Sequence, residues 1–506
     1  MTLIPRPQCV TPSEGTLTWT SPLRVTAAPE LRDAVQVFAN DLSQTVGWSV
    51  EFVDDDAHLV LSVDAERRPE GFSLDVSDAV EVRAADPSGA YYALQVLRSF
   101  TPAASVTPGS ELTEWTLPRM HVVDSPAFAW RGVHLDVARH FFSVDDVIRF
   151  IDLISLHRLN HLHLHLNDDQ GWRVELPSWP RLTEVGAWRR SSPVGHERDG
   201  VDDGVPHGGF YTAADIERLR THATSRFVTL VPEIDLPGHA QAVIAAYPEH
   251  GVTDEPVEVW TRWGISDNVL QVSEGTVSFA ENLVREVAAL FPGSPFHIGG
   301  DECPTTQWES SPIARAVMAE RGMREPRDLQ GLFTERLAST LRRLGHEVIA
   351  WDEVLDASVP EGTIIAAWRD AAKGREAAER GLDVIMAPMQ WVYFDWLNSA
   401  DPNEPVAIAA PPAVTTLERV YEFSVVPDQL PDELRARIRG AQAQLWTEYI
   451  ATREHLDYMA FPRLCAFAEV VWGTAGSFEE FRVRLTSHLE RLRALGVGFR
   501  PLETEG

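Results

Sequence analysis

From residue 128 onward, short apolar runs alternate with stretches in which apolar residues recur every three or four positions. The first pattern is typical of buried strands and the second of helices that cover them, so together they predict a parallel sheet covered by helices. About eight strands are predicted, the number that closes a (β/α)8 TIM barrel. They span residues 129–137, 161–166, 227–234, 296–299, 347–351, 364–368, 384–387 and 441–446.

The first part of the chain follows a different pattern. Two helices are predicted over residues 29–45 and 88–99, with strand-like runs at 59–63 and 79–83 between them. Residues 101–118 are rich in Thr, Pro and Ser, which is typical of a linker. Because 506 residues exceed the usual size of one domain, we expect a small α+β domain at 1–118 and a large barrel at 119–506.

Several helices of the predicted barrel carry recognisable ends. Ser143 with Asp146, and Thr212 with Asp215, have the spacing of an acidic capping box. The last helix places one apolar stripe over residues 478–492 and is expected to stop at Gly496.

Composition narrows the classes of partner. A formal charge of -31 argues against nucleic acid and anionic membranes, which need a basic footprint, and favours a neutral small molecule. No apolar run approaches the roughly 20 residues that cross a bilayer. The N-terminal residues lack the apolar core of a secretory signal, so we expect a cytoplasmic protein unless a leader was removed. Lys373 is the only lysine, and the three cysteines lie far apart, which predicts free thiols.

The predicted strands all end in chemically active side chains. Active sites of such barrels lie at the C-terminal ends of the strands. Each end carries carboxylate, tryptophan, tyrosine or arginine, in segments 136–140, 167–172, 233–239, 301–302, 351–353, 368–370, 391–396 and 446–448. Their shared location at one rim predicts a functional site.

Asp301 and Glu302 form the most informative of these segments. Neighbouring side chains of a strand point to opposite faces, so the two can share a pocket only if the backbone turns, which Gly299 and Gly300 permit. Two carboxyls in one partly dry pocket push one pKa upward and so produce a proton donor. The alternative is a solvated loop with two surface acids.

Tryptophans near the carboxylates suggest a sugar site. Trp351, Trp368 and Trp446 could each be packing residues, but flat aromatic faces beside many acids are suited to a pyranose ring and its hydroxyls. Arg139 and Asp168 would then bind vicinal hydroxyls. The alternative for Arg139 is a structural ion pair with Asp136 or Asp168.

A histidine-rich strand supports a rival interpretation. His161, His163 and His165 share one strand face, and His-x-His is a metal-ligand spacing. A metal-dependent barrel hydrolase is therefore an alternative, although these residues lie along the strand rather than at its end, which favours buried or supporting roles. His239 follows a predicted strand end and is better placed for substrate contact.

Five motifs resemble the signatures of glycoside hydrolase family 20, the β-N-acetylhexosaminidases. They occur in order as LDVARHF at 135–141, HLNDDQGW at 165–172, GGFYT at 208–212, PEIDLPGH at 232–239 and HIGGDE at 297–302. The resemblance runs from about residue 126 to 472. The segment GAYYAL at 89–94 also resembles the small α+β domain of that family.

The resemblance implies an exo-acting glycoside hydrolase that releases terminal GlcNAc, or GalNAc, with retention of configuration and without metal or organic cofactor. The substrate's own acetamido carbonyl would attack the anomeric carbon, in place of an enzyme carboxylate. Asp301 would hold the acetamido N–H, Tyr393 would donate to its carbonyl, and Glu302 would be the acid and base. The remaining roles implied are sugar walls for Trp351, Trp368 and Trp446, and hydroxyl binding for Arg139, Asp168, Asp395 and Glu448, with His239 nearby.

One departure concerns the leaving-group side. Many members of the family place a further aromatic residue after the position of Asp395, whereas residues 402–416 here are rich in Ala and Pro and contain no tryptophan. A non-catalytic sugar-binding barrel is a further alternative, against which the complete set of Asp301, Glu302 and Tyr393 argues. Natural substrate, linkage and oligomeric state are left open by the sequence.

Overall fold

The structure is a computed structural model that describes residues 3–253, 255–408 and 413–502. It contains an N-terminal α+β domain followed by a closed barrel. The four residues 409–412, which fall within the Ala- and Pro-rich segment noted above, lie outside the described residues.

The N-terminal domain is a mixed sheet with two long helices. Its strands have the spatial order β1-β7-β5-β6-β4-β2-β3, and the buried faces of the sheet and helices form one hydrophobic core. The strands are β1 Cys9–Trp19, β2 Leu23–Ala27, β3 Val50–Phe52, β4 Leu59–Val63, β5 Phe72–Val76, β6 Val80–Ala84 and β7 Trp115–Asp124, and the helices are α1 Arg32–Val46 and α2 Pro87–Arg98.

Strand β7 corrects the expected domain boundary. The expected border between residues 118 and 119 falls inside β7, which pairs with β1 and β5 as part of the N-terminal sheet. Pro118 obscured this strand in the sequence, because a proline cannot donate to a ladder. It is tolerated here because β5 pairs only with residues 120–124 and because the register of β1 shifts next to the Thr16–Pro118 pair.

The second part of the chain supplies the barrel. Strands β8, β9 and β14–β19 close it in sequence order, all parallel, which confirms the predicted fold. The strands are β8 Trp130–Asp136, β9 His161–His165, β10 Asn167–Asp168, β11 Gly171–Trp172, β12 Trp188–Arg189, β13 His207–Gly208, β14 Thr229–Glu233, β15 Phe296–His297, β16 Val348–Trp351, β17 Thr363–Ala367, β18 Val384–Met386 and β19 Ile438–Leu445.

Helices cover the outside of the barrel. They are α3 Val144–Leu156, α4 Arg181–Glu184, α5 Ala213–Ser225, α6 Gln241–Ala246, α7 Glu274–Leu290, α8 Thr306–Ser310, α9 Pro312–Arg321, α10 Asp328–Arg343, α11 Ala371–Glu379, α12 Met389–Val392, α13 Leu417–Tyr421, α14 Arg453–Ala460, α15 Arg463–Trp472 and α16 Phe478–Ala494. Both predicted capping boxes are present, at the starts of α3 and α5. Within the described residues, none of the helices has the length and apolar character that a membrane span requires.

The inside of the barrel is polar along several strands. The leucines of β9 belong to the core beneath the helices, whereas His163 and His165 lie on the opposite face and are buried inside the barrel. Both imidazoles meet the carboxylate of Glu233 from β14. Burial lowers the pKa of His165, but the carboxylates of Glu233 and Asp168 together outweigh burial and raise that pKa to about 10. The strand alternation therefore reflects a buried charge network rather than a solvent-facing sheet.

One tryptophan joins the two domains. Trp472, at the end of α15, is fully buried in the hydrophobic core of the N-terminal domain. Its indole Nε1 donates a 2.9 Å hydrogen bond to Asp124 at the end of β7. The guanidinium groups of Arg131 and Arg158 lie 5.2 Å and 4.8 Å from its ring, within the range of cation–π contacts.

Candidate active site

The predicted site residues meet at the C-terminal mouth of the barrel. Strands β19, β8 and β9 are neighbours in the closed barrel. Glu448, Arg139 and Asp168, which follow these three strands in that order, are therefore brought side by side. Asp301 and Glu302 follow β15 on the other side of the mouth. The structure thus brings to one rim residues that are far apart in the sequence.

A sharp turn presents Asp301 and Glu302. Gly299, Gly300 and Glu302 all adopt positive φ, at 64°, 97° and 44°. This is the left-handed region that glycine tolerates and that other residues enter only under constraint. The turn leaves Asp301 buried, while the side chain of Glu302 is 35% exposed to solvent. As predicted, the backbone turns at the two glycines, and both acids lie within 4.0 Å of Nε2 of His239.

Asp301 shares its environment with Asp235, a residue that the sequence interpretation did not place in the site. Burial raises the pKa of Asp301 well above its usual range, and the neighbouring Asp235 raises it further. Burial likewise raises the pKa of Asp235 to about 7. Asp235 is held by the backbone N–H of Gly300, which donates to its Oδ1 over 2.8 Å. Asp301 and Asp235 therefore form a buried carboxyl pair that retains a proton.

His239 connects the acid of the site to a sugar-binding candidate. Its Nε2 lies 3.6 Å from Oε2 of Glu302, and its Nδ1 lies 3.2 Å from Oδ1 of Asp168. Burial acts to lower the pKa of His239, but the carboxylates of Asp168 and its neighbours raise it well above the usual value. A protonated His239 therefore lies between the acids Asp168 and Glu302 at the mouth of the barrel.

Arg139 is the centre of the opposite side. Its Nη2 lies 2.8 Å from Oδ2 of Asp168, and its Nη1 lies 3.2 Å from Oδ2 of Asp136 and 3.8 Å from Oε1 of Glu448. The guanidinium carbon is 5.1 Å from the ring of Trp446. Arg139 thus makes the structural ion pairs that were weighed against a binding role, and it also faces the pocket beside Glu448.

Asp395 and Glu448 bring unsatisfied carboxylate oxygens to this side. Among the described residues, neither oxygen of Asp395 nor Oε2 of Glu448 has a hydrogen-bond partner, although all are buried. Burial raises the pKa of Asp395 well above its usual range, and the nearby Glu448 adds to the effect. Buried acceptors of this kind are costly unless a ligand donates to them, and sugar hydroxyls are suitable donors.

Aromatic side chains enclose the space between the two sides. Tyr393, Trp446 and Trp351 pack in one cluster, with ring centroids 6.5 Å apart for Tyr393 and Trp446. Trp351 is fully buried, and its indole Nε1 donates to Oε1 of Glu233 over 2.7 Å. Trp368 stacks beside Tyr393 with centroids 6.2 Å apart and an angle of 26°. Trp396, which the sequence analysis did not assign, completes the cluster 6.4 Å from Tyr393.

The three histidines of β9 do not form one metal site. His161 stacks on Trp130 with centroids 3.8 Å apart, while His165 is engaged by Glu233 and Asp168. His163 comes close enough to His134 and Glu233 to form a three-ligand group. Within the described residues, the proposed His161, His163 and His165 set is therefore separated, and only His163 remains a geometrically possible ligand.

Comparisons with known proteins identify the family. A family model described as "Glycosyl hydrolase family 20, catalytic domain" matches residues 128–475, and a second, "Glycosyl hydrolase family 20, domain 2", matches residues 1–125. The chain belongs to glycosyl hydrolase family 20.

Two curated relatives are similar to this chain over most of its length. A beta-hexosaminidase of Porphyromonas gingivalis is 33% identical over 98% of the chain, and a beta-hexosaminidase of Vibrio furnissii is 38% identical over 70% of it. The matches span 64% and 58% of those two proteins, which are therefore longer than the matched region.

A solved structure of the family shows the same architecture. The exo beta-N-acetylglucosaminidase of Vibrio harveyi, in complex with N-acetylglucosamine, is 30% identical with a TM-score of 0.88. The match covers 99% of this chain and 78% of that one. The fold described above is therefore shared with this structure.

Proposed function

We propose that this chain is an exo-β-N-acetylhexosaminidase that removes terminal GlcNAc or GalNAc from the non-reducing end of oligosaccharides or glycoconjugates. The observation that carries the proposal is the pairing of buried Asp301 with Asp235 directly beside Glu302, at the mouth of a barrel lined by tryptophans. Family membership and relatives named for this activity support it.

The chemistry we propose is substrate-assisted and retains configuration. The carbonyl oxygen of the substrate's acetamido group attacks the anomeric carbon and forms an oxazolinium ion, which water then opens. A tethered nucleophile acts at high effective concentration if the enzyme bends it into position. No carboxylate of the enzyme then needs to bond to the sugar.

Asp301 and Tyr393 would orient that nucleophile. The Asp301 carboxylate accepts the acetamido N–H and stabilises the positive charge that develops on the ring. Asp301 and Asp235 form a buried pair that retains a proton, and the acetamido N–H together with the developing positive charge would favour the ionised form of Asp301. Burial keeps Tyr393 protonated by raising its pKa well above the usual value, so its hydroxyl can donate to the acetamido oxygen.

Glu302 would transfer the protons at the glycosidic bond. It first donates to the leaving oxygen and then accepts a proton from the attacking water. Its partial exposure suits contact with a leaving group and with water. His239, 3.6 Å away, places a positive charge beside the carboxylate that forms after the first transfer.

The far side of the pocket would bind the hydroxyl groups. Arg139 is a donor, and the unsatisfied oxygens of Asp395 and Glu448 are acceptors. Asp168 is already fixed by Arg139 and His165, at 2.8 Å and 2.9 Å, and so presents its carboxylate in one orientation. Such preorganised contacts select a sugar without being consumed in the reaction.

Hydrolysis of nitrophenyl β-glycosides tests the proposal. GlcNAc and GalNAc glycosides should be cleaved, and the glucoside, which lacks the acetamido nucleophile, should be nearly inert. A thiazoline analogue of the cyclised intermediate should inhibit the enzyme. Asp301→Asn and Glu302→Gln should each lose about 10²-fold or more in kcat, whereas Asp432→Asn, with a side chain 92% exposed, should not.

Two results would contradict the proposal. Equal turnover of the glucoside would point to an enzyme nucleophile instead of the acetamido group. Binding of N-acetylglucosamine without hydrolysis of any of these glycosides would point to the sugar-binding barrel.

A further inference from the structure

The two ends of the proposed site lie on opposite sides of the barrel mouth. In the closed order of strands, β15, which leads into Glu302, lies across the barrel from β19, which leads into Glu448. Atoms C1 and C4 of a hexopyranose are likewise at opposite ends of the ring. A sugar whose C1 faces Glu302 therefore directs its 4-hydroxyl towards the side of β19, β8 and β9.

The loops that follow β9, β14 and β19 contact one another on that side, and we call their contacting residues Glu197, Arg262, Trp263 and Tyr449 the roof. Nε of Arg262 lies 2.6 Å from Oε1 of Glu197. The backbone N–H of Trp263 donates to Oε2 of the same carboxylate over 3.1 Å. One carboxylate therefore ties the loop after β9 to the loop after β14.

Tyr449 brings the third loop to the roof. It directly follows Glu448, and its hydroxyl accepts a hydrogen bond from the backbone N–H of Glu197 over 3.4 Å. Its ring also lies 5.6 Å from that of His196. The loop after β9 thus contacts Tyr449, the residue next to Glu448.

Buried contacts join the roof to Arg139. Gln170 accepts a 3.0 Å hydrogen bond from Nε of Arg139 and donates another, also 3.0 Å, to the carbonyl of Arg262. Trp263 is 7% exposed, and the guanidinium of Arg189 lies 5.1 Å from its ring. Arg189 in turn donates to the carbonyl oxygen of Arg139 over 2.6 Å. The roof is therefore connected through Gln170 and Arg189 to Arg139, one of the residues proposed to bind sugar hydroxyls.

We propose that the roof closes the pocket beyond the 4-hydroxyl and so determines that only an unsubstituted terminal sugar is accepted. The inference rests on the proposed hydrolysis and assigns its exo specificity to the cross-loop contact of Glu197 with Arg262. Exclusion acts here through a steric wall, since a pocket open at this end would let a chain continue past position 4.

Two substrates that differ by one methyl group measure the effect. They are p-nitrophenyl β-GlcNAc and its 4-O-methyl derivative, and the quantity is the ratio of kcat/KM for the blocked to the free glycoside. Glu197→Ala and Arg262→Ala should raise this ratio by about tenfold or more, because the loops can then part. Arg262→Lys keeps a cation and should stay nearer the wild-type ratio.

A second ion pair provides a matched control. Arg190 and Glu258 join the same two loops at 3.1 Å, but on the surface, with side chains 70% and 74% exposed. Arg190→Ala and Glu258→Ala should leave the ratio unchanged. Thermal unfolding of every variant checks that the fold is retained.

Each outcome is decisive. If Glu197→Ala and Arg262→Ala lower both rates equally, or leave the ratio at the wild-type value, the roof is only structural and the inference is wrong. A rise of the same size in the Arg190 and Glu258 variants would also overturn it, since the effect would not belong to the roof. Failure of the wild type on the free glycoside would instead refute the proposed function, and this inference with it.

Discussion

A Cβ atom added to Gly299 would overlap Oδ1 of Asp235. The glycine is therefore required twice, once for its φ of 64° and once for the space that the buried carboxyl occupies. Through this contact the turn that presents Asp301 packs against Asp235, which follows the neighbouring strand β14. Asp235 can lie against the turn that presents Asp301 because Gly299 has no Cβ atom.

Gly299→Ala should abolish most of the activity. The added methyl must displace Asp235, whose Oδ1 binds the Gly300 N–H, so kcat should fall by about 10²-fold or more as Asp301 loses its position. The control is Gly293→Ala, which has a similar φ of 78° but open space around its Cβ. It should cost only about 1 to 2 kcal/mol of stability and no activity. Equal losses in both variants would show that backbone strain alone is responsible.

Asp235→Asn should change how stability depends on pH. The folded pKa of Asp235, about 7, lies above the unfolded value, so the folded state keeps a proton that the unfolded state has released. The stabilisation is complete below about pH 4 and is lost as the pH rises through 7. The wild-type melting temperature should therefore fall from pH 5 to pH 8 more steeply than that of Asp235→Asn. Parallel curves would contradict the raised pKa.

Glu302→Gln should affect substrates according to their leaving group. Chitobiose needs its leaving oxygen protonated, so its hydrolysis should fall by about 10² to 10⁴-fold. The 2,4-dinitrophenolate group of an activated glycoside leaves without being protonated. The rate at which the intermediate forms from that substrate should therefore be much less affected by the substitution. Pre-steady-state release of dinitrophenol separates this step from later hydrolysis. Equal loss on both substrates would argue that Glu302 is not the acid.

Glu233→Gln should destabilise the barrel from within. Glu233 is fully buried and faces His163, His165 and His297, while Trp351 donates to it. Removing one charge of a buried network typically costs about 3 to 5 kcal/mol, to be measured by guanidinium unfolding. Asp145→Asn breaks an exposed pair with Arg218 and should cost less than about 1 kcal/mol.

Chelation should leave the enzyme active. Glu233, which could form a ligand group with His134 and His163, already faces a protonated His165, and His239 is likewise held by Asp168. Dialysis against EDTA should not change kcat, and elemental analysis should find substoichiometric metal. Loss of activity that zinc restores would favour the metal-dependent hydrolase instead.

Much of the architecture could be predicted because strand and helix periods are local properties of the sequence. All eight barrel strands lie where the apolar runs predicted them, and the ends of those strands form the site. Pro118 shows the limit of such patterns, since whether a proline fits a strand depends on partners that come from elsewhere in the chain.

The pairing of side chains across strands could not be predicted in the same way. Asp235 follows β14 and Asp301 follows β15, and only the closed barrel brings them together. Trp396 was missed for a related reason, because an aromatic residue in an irregular segment gives no periodic signal. Nor did the sequence indicate that the ring of His161 stacks on Trp130, a contact that keeps His161 out of a metal site with His163.

Trp472 has a consequence for folding. Its backbone belongs to the last strongly buried helix of the barrel, but its ring lies in the core of the other domain, bonded to Asp124. Neither domain can therefore unfold alone without moving this indole out of its apolar surroundings. The two domains should therefore unfold in a single cooperative transition. A barrel produced without the N-terminal domain should expose the apolar ring of Trp472 to solvent and aggregate.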